Sequence, residues 1–271
     1  MGFLFFMLSS IAYAQTAQVT TPGRIASLNI CVDQLLWEMV PHERLVSISY
    51  LTADPMWSPI AAQVDGIALN HGLAEEIVPL KPDVILAGEF DAADAVILLQ
   101  RLGNRVERLA LPRKLGDINQ QILQLGELVG ATEKALLMTQ KLSAQVAELQ
   151  AANQSQHPST AFWYSSNGIV IGEGTLEHEL MQLAGLRNLA AERGMVGFNQ
   201  LDLELLLSAK PQILIIEESD AGAFSLAREY LAHPALAHAG FRIVRLPTGL
   251  SICAAAALGD VAVELKRALA K

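Results

Sequence analysis

Residues 75–89, EEIVPLKPDVILAGE, decide the fold of this chain. They read as a short helix, a Lys-Pro break and a buried strand. Val84, Ile85 and Leu86 form a continuous apolar run, as expected of a parallel strand covered by helices on both faces. Pro82 cannot continue a helix and pushes Lys81 out of the helical region, so the chain turns into the strand there. The unit then occurs again. Residues 204–218, ELLLSAKPQILIIEE, place Glu, Lys, Pro and a final Glu at the same offsets, and Pro211 and the run from Ile213 to Ile216 replace their counterparts. One copy in each half predicts two similar lobes. Glu75 and Glu204 each open a short helix, where a carboxylate suits the helix dipole. On these grounds alone they are either solvated helix charges or functional ones.

Around the first copy, strands and helices alternate, which argues an α/β lobe with a mostly parallel sheet. Residues 24–28 and 45–49 read as strands. Between them Val32, Leu35, Leu36, Met39 and Val40 make one apolar helical stripe. After the copy, Asp91 is expected to cap a helix that runs to Leu102 and closes at Gly103. From Asp117 the pattern changes to two helical segments, 118–129 and 132–152, broken near Gly130. The second is about 20 residues, roughly 30 Å long at 1.5 Å per residue. Its stripe of Ala135, Met138, Leu142, Val146 and Leu149 predicts a strut lying along more than one lobe. The α/β pattern resumes with a strand at 161–164, a helix capped by Thr175 and ending at Gly185, the second copy, a strand at 242–246 and a closing helix at 254–269.

The expected organisation is therefore an N-terminal α/β lobe over 15–130, an interlobe backbone helix over 131–153 and a C-terminal α/β lobe over 154–271. Each lobe is expected to have three layers with a mostly parallel sheet, the pair being joined by a single long rigid helix with a cleft between them. Residues 1–14 precede this frame. Their apolar run ends in Ala12-Tyr13-Ala14, the pattern of a cleaved secretory signal peptide. No cysteine stands at that site to carry a lipid anchor, so the expectation is a soluble exported chain. At 271 residues with 52% hydrophobic content, core material is ample. The net charge of −9 is dispersed and leaves no basic face, which disfavours nucleic acid. In an exported chain the two cysteines, Cys31 and Cys253, permit one disulfide between the chain's two ends; two buried free thiols are the alternative.

Several segments together carry a resemblance: RIASLN at 24–29, EEIVPLKPDVILAG at 75–88, the strut helix, ELMQLAGLRNLA at 179–190, LELLLSAKPQILII at 203–216 and HPAL at 233–236. The chain resembles the helical-backbone periplasmic substrate-binding proteins of ABC importers for iron complexes and cobalamin. The resemblance implies a monomeric receptor in the periplasm that hydrolyses nothing and carries no intrinsic cofactor. It would pass an iron-siderophore complex or cobalamin to a permease dimer in the inner membrane. Glu75 and Glu204 match the family's two glutamates that dock onto permease arginines.

Loops after the C-terminal ends of strands line the cleft in such sheets. Candidates are Asn29, Cys31, Tyr50, His71, Glu89, Phe90, Tyr164, Ser165, Phe198 and Ser251. Tyr50 and Phe198 match aromatic positions of cobalamin binders, and flat rings suit a macrocycle because they bury large area at small entropy cost. An anionic ferric siderophore calls for cleft arginines, and Arg193 and Arg113 are the two to nominate. A haem receptor needs an axial tyrosine or histidine; His71 lies near such a position, where the family's tyrosine is missing. Other classes fare worse. No G-x-S-x-G elbow marks an exported hydrolase. His178-Glu179-Leu180-Met181-Gln182 starts like a zinc-binding helix, but Gln182 stands where the second ligand belongs. The six histidines show no tight cluster for a free metal-ion receptor, and Gly172-Glu173-Gly174 is a lone G-x-G.

Overall fold

The computed structural model describes residues 21–151, 158–218, 231, 233–247 and 253–270; the signal-peptide reading of 1–14 and the candidate Ser251 lie outside them. The N-terminal half runs β1 (Ile25–Ser27), α1 (Ile30–Met39), β2 (Leu45–Ser49), β3 (Leu69–Asn70), α2 (Ala74–Ile77), β4 (Val84–Gly88), α3 (Ala93–Arg101) and β5 (Val106–Leu109). Its five strands are ordered β3-β2-β1-β4-β5, all parallel. Side chains of successive strand residues point to opposite faces. Ile25, Val84 and Leu86 accordingly face one apolar cluster, while Ala26, Ile85 and Ala87 face another with Ile77, Val96 and Leu99 of the outer helices. Three layers follow from that alternation.

Two helices come next, α4 (Leu115–Val129) and α5 (Thr132–Ala151), packed on each other. Their close approach requires Gly126, where a Cβ would stand 2.4 Å from that of Ala135. In α5, Ala135, Leu142 and Leu149 are buried, and Met138 and Val146 pack against the same core.

The C-terminal half contains β6 (Ser159–Ser165), β7 (Ile169–Ile171), α6 (Leu176–Leu183), β8 (Leu186–Asn188), α7 (Leu189–Glu192), β9 (Phe198–Gln200), α8 (Leu203–Ala209), β10 (Ile213–Glu218), β11 (Arg242–Pro247) and the closing helix Ala254–Ala270. The sheet order is β11-β10-β6-β7-β9, with β8 also paired to β6. The β10 pairs and the β6–β8 pair are parallel, whereas β7 runs antiparallel to both β6 and β9. Here the second lobe departs from a copy of the first. The repeated turn itself is reproduced: Lys81 and Lys210 both sit in the left-handed region, at φ 46°, ψ 59° and φ 47°, ψ 57°. Each lysine ends its helix and aims the following Pro into the strand.

The connection between the lobes is broader than a single strut. One apolar cluster runs from Ile25 and Leu36 through Ile122, Ala135 and Leu142 to Trp163, Leu180 and Leu258. The closing helix packs on α5, α6 and α1, and a disulfide joins Cys31 at the start of α1 to Cys253, with the Cα atoms 5.0 Å apart. On the other flank the Glu179 carboxylate of α6 accepts the Leu115 N–H at 2.5 Å, satisfying a free donor at the α4 N-terminus.

Candidate functional site

Where strand order reverses in a parallel sheet, the loops on either side diverge and leave a crevice. In the N-terminal sheet that point lies between β1 and β4, and a cavity of about 420 Å³ opens there. The N-terminal wall comes from Asn29, residues 88–91 and residues 109–113; the C-terminal wall comes from residues 174–177 with Gly197 and Phe198. Cys31 and Cys253 contribute to the lining as well.

A small network fixes the N-terminal wall. Asn29 caps α1, its Oδ1 accepting the N–H groups of Cys31 at 2.9 Å and Val32 at 3.0 Å. Its Nδ2 donates to Asp91 Oδ2 at 2.7 Å, and the same oxygen accepts the Gly88 N–H at 2.8 Å. Asp91 therefore reaches back to the strand end; Ala92 occupies the cap of α3, so the expected Asp91 cap is corrected. Glu89 Oε2 accepts the Leu111 N–H at 3.1 Å, tying the β4 and β5 loops together. Phe90 is 71% exposed on this wall and Phe198 64% exposed on the opposite one. Large apolar rings left in water at a cavity's two sides are ready contact area.

The C-terminal wall is the surprise of the geometry. Thr175 caps α6 through its Oγ1, which accepts the His178 N–H at 3.2 Å and donates to the Gly172 carbonyl at 2.9 Å. Gly172 is pressed against Met195, whose carbonyl oxygen would stand 2.2 Å from any Cβ there. The G-x-G segment thus lets two backbones meet beneath the wall. The helix begins with Leu176 and Glu177, both in the cavity lining. Burial pushes the Glu177 carboxyl above its ordinary range, and the nearby Glu217 carboxylate adds to the effect. Glu217 in turn accepts the Trp163 indole N–H at 3.0 Å.

Other candidates fall elsewhere. Tyr50 stacks on His71 with ring centroids 4.6 Å apart, and His71 Nδ1 lies 2.9 Å from Glu76 Oε1. The backbone and ring N–H bonds from His71 hold the Glu76 carboxyl below its usual range. This pair follows β2 and β3 on the same C-terminal sheet edge, outside the cavity lining. Tyr164 is a correction: it is fully buried with Phe162 and Leu214 in the outer core of its lobe. Arg193 is another, since its Nη1 donates to the Leu189 carbonyl at 3.0 Å and its guanidinium lies 5.4 Å from the Phe162 ring centroid. Ser165 is half-buried at the end of β6 and does not line the cavity. Arg113 does line it. His178 sits with Nδ1 3.1 Å from Asn188 and Nε2 3.0 Å from Gln182, a structural placement rather than a metal ligand's.

Away from the cavity, Asp33 is buried in α1. Its Oδ2 accepts the Ser49 N–H at 2.9 Å and the Thr52 hydroxyl at 2.5 Å, anchoring the turn that carries Tyr50. Burial raises this carboxyl from 3.8 to about 7. Glu75 and Glu204 are exposed in the first turns of α2 and α8, with an exposed leucine two residues before the first (Leu73) and directly after the second (Leu205). Among the described residues no helix is long and apolar enough to cross a membrane.

Comparison with known proteins agrees with this architecture. A possible iron-binding periplasmic solute-binding protein of Staphylococcus epidermidis superposes with a TM-score of 0.75 at 17% identity, over 93% of this chain and 100% of that one. The apo periplasmic heme-binding protein RhuT of Roseiflexus gives 0.69 at 21% identity, over 90% and 98%. The periplasmic vitamin B12 binding protein BtuF of Vibrio cholerae gives 0.64 at 22% identity, over 93% and 99%. A cobalamin-binding protein of Halobacterium salinarum is 24% identical over 201 residues, 72% of this chain and 53% of that protein. The chain thus spans about half the length of the curated relatives it matches. Residues 25–240 match the periplasmic binding protein family, and with most of its length so covered the chain belongs to that family.

Proposed function

We propose that this protein is the substrate-binding component of an ABC importer, capturing a metal chelate in the periplasm and delivering it to an inner-membrane permease. The cargo is a ferric siderophore or cobalamin. The observation that carries the reading is the interlobe cavity with Phe90 and Phe198 exposed on opposite walls. Relatives named for cobalamin, heme and iron support the same cargo class. Binding without chemistry is the activity; the monomer acts after removal of residues 1–14. In this reading 15–130 and 154–271 are the capturing lobes and 131–153 their spacer. Continuous packing between them favours small lobe movement on loading.

Delivery uses Glu75 and Glu204, one on each lobe. Exposed ion pairs contribute about 0–1 kcal/mol each, but two at fixed spacing set register and association rate. Haem is a second reading, favoured by the Glu76-held His71, whose Nε2 is the nitrogen left for an axial contact.

Calorimetric titration of the mature protein against cyanocobalamin, haem, hydroxamate, catecholate and citrate complexes of iron, and free zinc tests the reading. Saturable binding of one chelate is expected. Zinc binding with silence from every chelate would replace it with a free-ion receptor.

A further inference from the structure

We propose that the Cys31–Cys253 disulfide is a thiol-exchange site opening onto the cavity, attacked at Cys31 by small neutral or cationic thiols. The inference goes beyond chelate binding and does not depend on it.

A disulfide exchanges where a thiolate can reach one of its sulfurs. This one lies in the lining of the cavity between the lobes, a space of about 420 Å³, rather than inside the core. Its two halves are not equally placed. Cys31 is half-buried in the first turn of α1, whereas Cys253 is 2% exposed directly before the closing helix. An incoming sulfur therefore meets Cys31 first, and Cys253 becomes the leaving group.

Electrostatics favour the same direction. Each cysteine stands at the N-terminal end of a helix, 10 residues long for α1 and 17 for the closing helix, where the dipole favours a thiolate. In α1 that field is opposed by the Asp33 carboxyl of the first turn and by Asp91, which the capping Asn29 holds on its amide at 2.7 Å. The first turn of the closing helix has no acidic residue. Negative charge thus develops more readily on Cys253 than on Cys31.

The wall beside Cys31 also selects the thiol. Glu89 and Asp91 line it, their carboxylates held by uncharged donors: the Leu111 N–H on the first, the Asn29 amide and the Gly88 N–H on the second. Arg113 is the one guanidinium among the described lining residues. A cavity so lined repels an anionic thiol and admits a neutral or cationic one.

In the exchange, the thiolate sulfur bonds to Cys31 Sγ and the Cys31–Cys253 bond breaks. The electron pair leaves on Cys253 Sγ, which takes a proton from water to replace the one the thiol gave up. A monothiol stops there, as a mixed disulfide on Cys31 that places the added group in the cavity. A dithiol goes on: its second sulfur attacks its first, and Cys31 leaves as a thiolate. The dithiol is then oxidised by two electrons and the cysteine pair reduced by two.

The test uses the folded mature protein without denaturant. It is exposed to cysteamine, quenched with acid, alkylated with N-ethylmaleimide and digested for mass spectrometry. Cysteamine is expected on Cys31 and maleimide on Cys253, with the reverse pattern rarer by on the order of tenfold. Exchange rates are then compared for cysteamine and 3-mercaptopropionate, each divided by its rate toward a small uncharged disulfide. At low salt the cationic thiol is expected to lead by about tenfold, and raised salt should shrink the lead. Adducts shared equally between the cysteines, or found mainly on Cys253, overturn the directed attack. Equal corrected rates overturn the charge selection. A disulfide that stays closed to both thiols until denaturant is added overturns the site itself and leaves the chelate-receptor reading untouched.

Discussion

The two lobes share a turn but not a wall. In both, a short helix led by an exposed glutamate ends on a left-handed lysine and a proline before a buried strand next to the sheet edge. Beyond that unit they diverge. The N-terminal sheet is wholly parallel, and it meets the cavity with loops after β1, β4 and β5. The C-terminal sheet inserts the antiparallel β7, and it meets the cavity with the N-terminus of α6 and the start of β9. The repeat therefore preserves what faces outward, while the inward faces are free to differ.

The largest expected effect tests the outward symmetry. Replacing Glu75 and Glu204 together by lysine is expected to reduce permease-dependent uptake to background, with chelate affinity unchanged in calorimetry. Each single reversal should cost a similar part of the rate if the lobes dock equivalently. A binding defect equal to the uptake defect would reassign the glutamates to ligand capture.

Asp33 offers the next contrast, because the N-terminal lobe buries a carboxyl that serves its own loop rather than the cavity. Its folded value of about 7 lies above its ordinary 3.8, so the folded chain binds the proton more tightly than the unfolded one. The associated stability is fully present below about pH 4 and is lost as pH rises through 7. Asp33→Asn is expected to remove that loss, gaining up to about 4 kcal/mol at pH 8 from the shift alone. Denaturant titrations of both proteins between pH 4 and 8 should show the difference growing with pH. A constant difference would mean that Asp33 is not titrating in that window.

The contrast between lobes also explains which parts were legible in advance. Periodicity exposed the repeated unit, the α5 stripe and the alternation in the first half, because these depend on burial within about one element. Asn29, Glu89 and Phe90 fall in the cavity lining because strand ends in parallel sheets point at a crevice, whereas Phe198, the first residue of β9 in its antiparallel pair with β7, lines it from a position matched through the family resemblance. Thr175 was readable as a cap, but nothing local says that a cap faces a cavity, so Glu177 was missed. Tyr164 shows the opposite failure. It shares strand parity with Phe162, and both point under the outer helices; the period of two was there to be used. Arg193 was nominated for its charge, whereas the Leu189 carbonyl and the Phe162 ring claim it in three dimensions.

The disulfide sharpens the question of how independent the lobes are. It spans 222 residues of sequence and lies in the cavity lining beside the continuous core. Cys31→Ser with Cys253→Ser is expected to destabilise the protein by about 2–5 kcal/mol, the usual range for removing a native disulfide. Because α5 and the closing helix still bridge the lobes, chelate affinity should fall by less than about tenfold. A single cooperative unfolding transition that splits into two in the variant would show that the disulfide, not the shared core, couples the halves.

The smallest effect returns to the repeated turn. A lysine at φ 46° or 47° crowds its Cβ against the backbone, which costs roughly 1–2 kcal/mol for an ordinary residue. Glycine removes that strain but adds unfolded-state entropy, so Lys81→Gly and Lys210→Gly are each expected to stabilise by only about 0.5 kcal/mol. The sizes should match if the turn is the same local solution in both lobes. The first turn has one extra support: Arg24 donates from Nη2 to the Leu80 carbonyl at 2.6 Å and from Nε to that of Lys81 at 3.3 Å. Arg24→Ala should therefore lower stability without altering the gain from Lys210→Gly, and the double variant of Arg24 and Lys81 should be non-additive. Additivity there would mean that Arg24 steadies the strand entry and leaves the strained turn to hold itself.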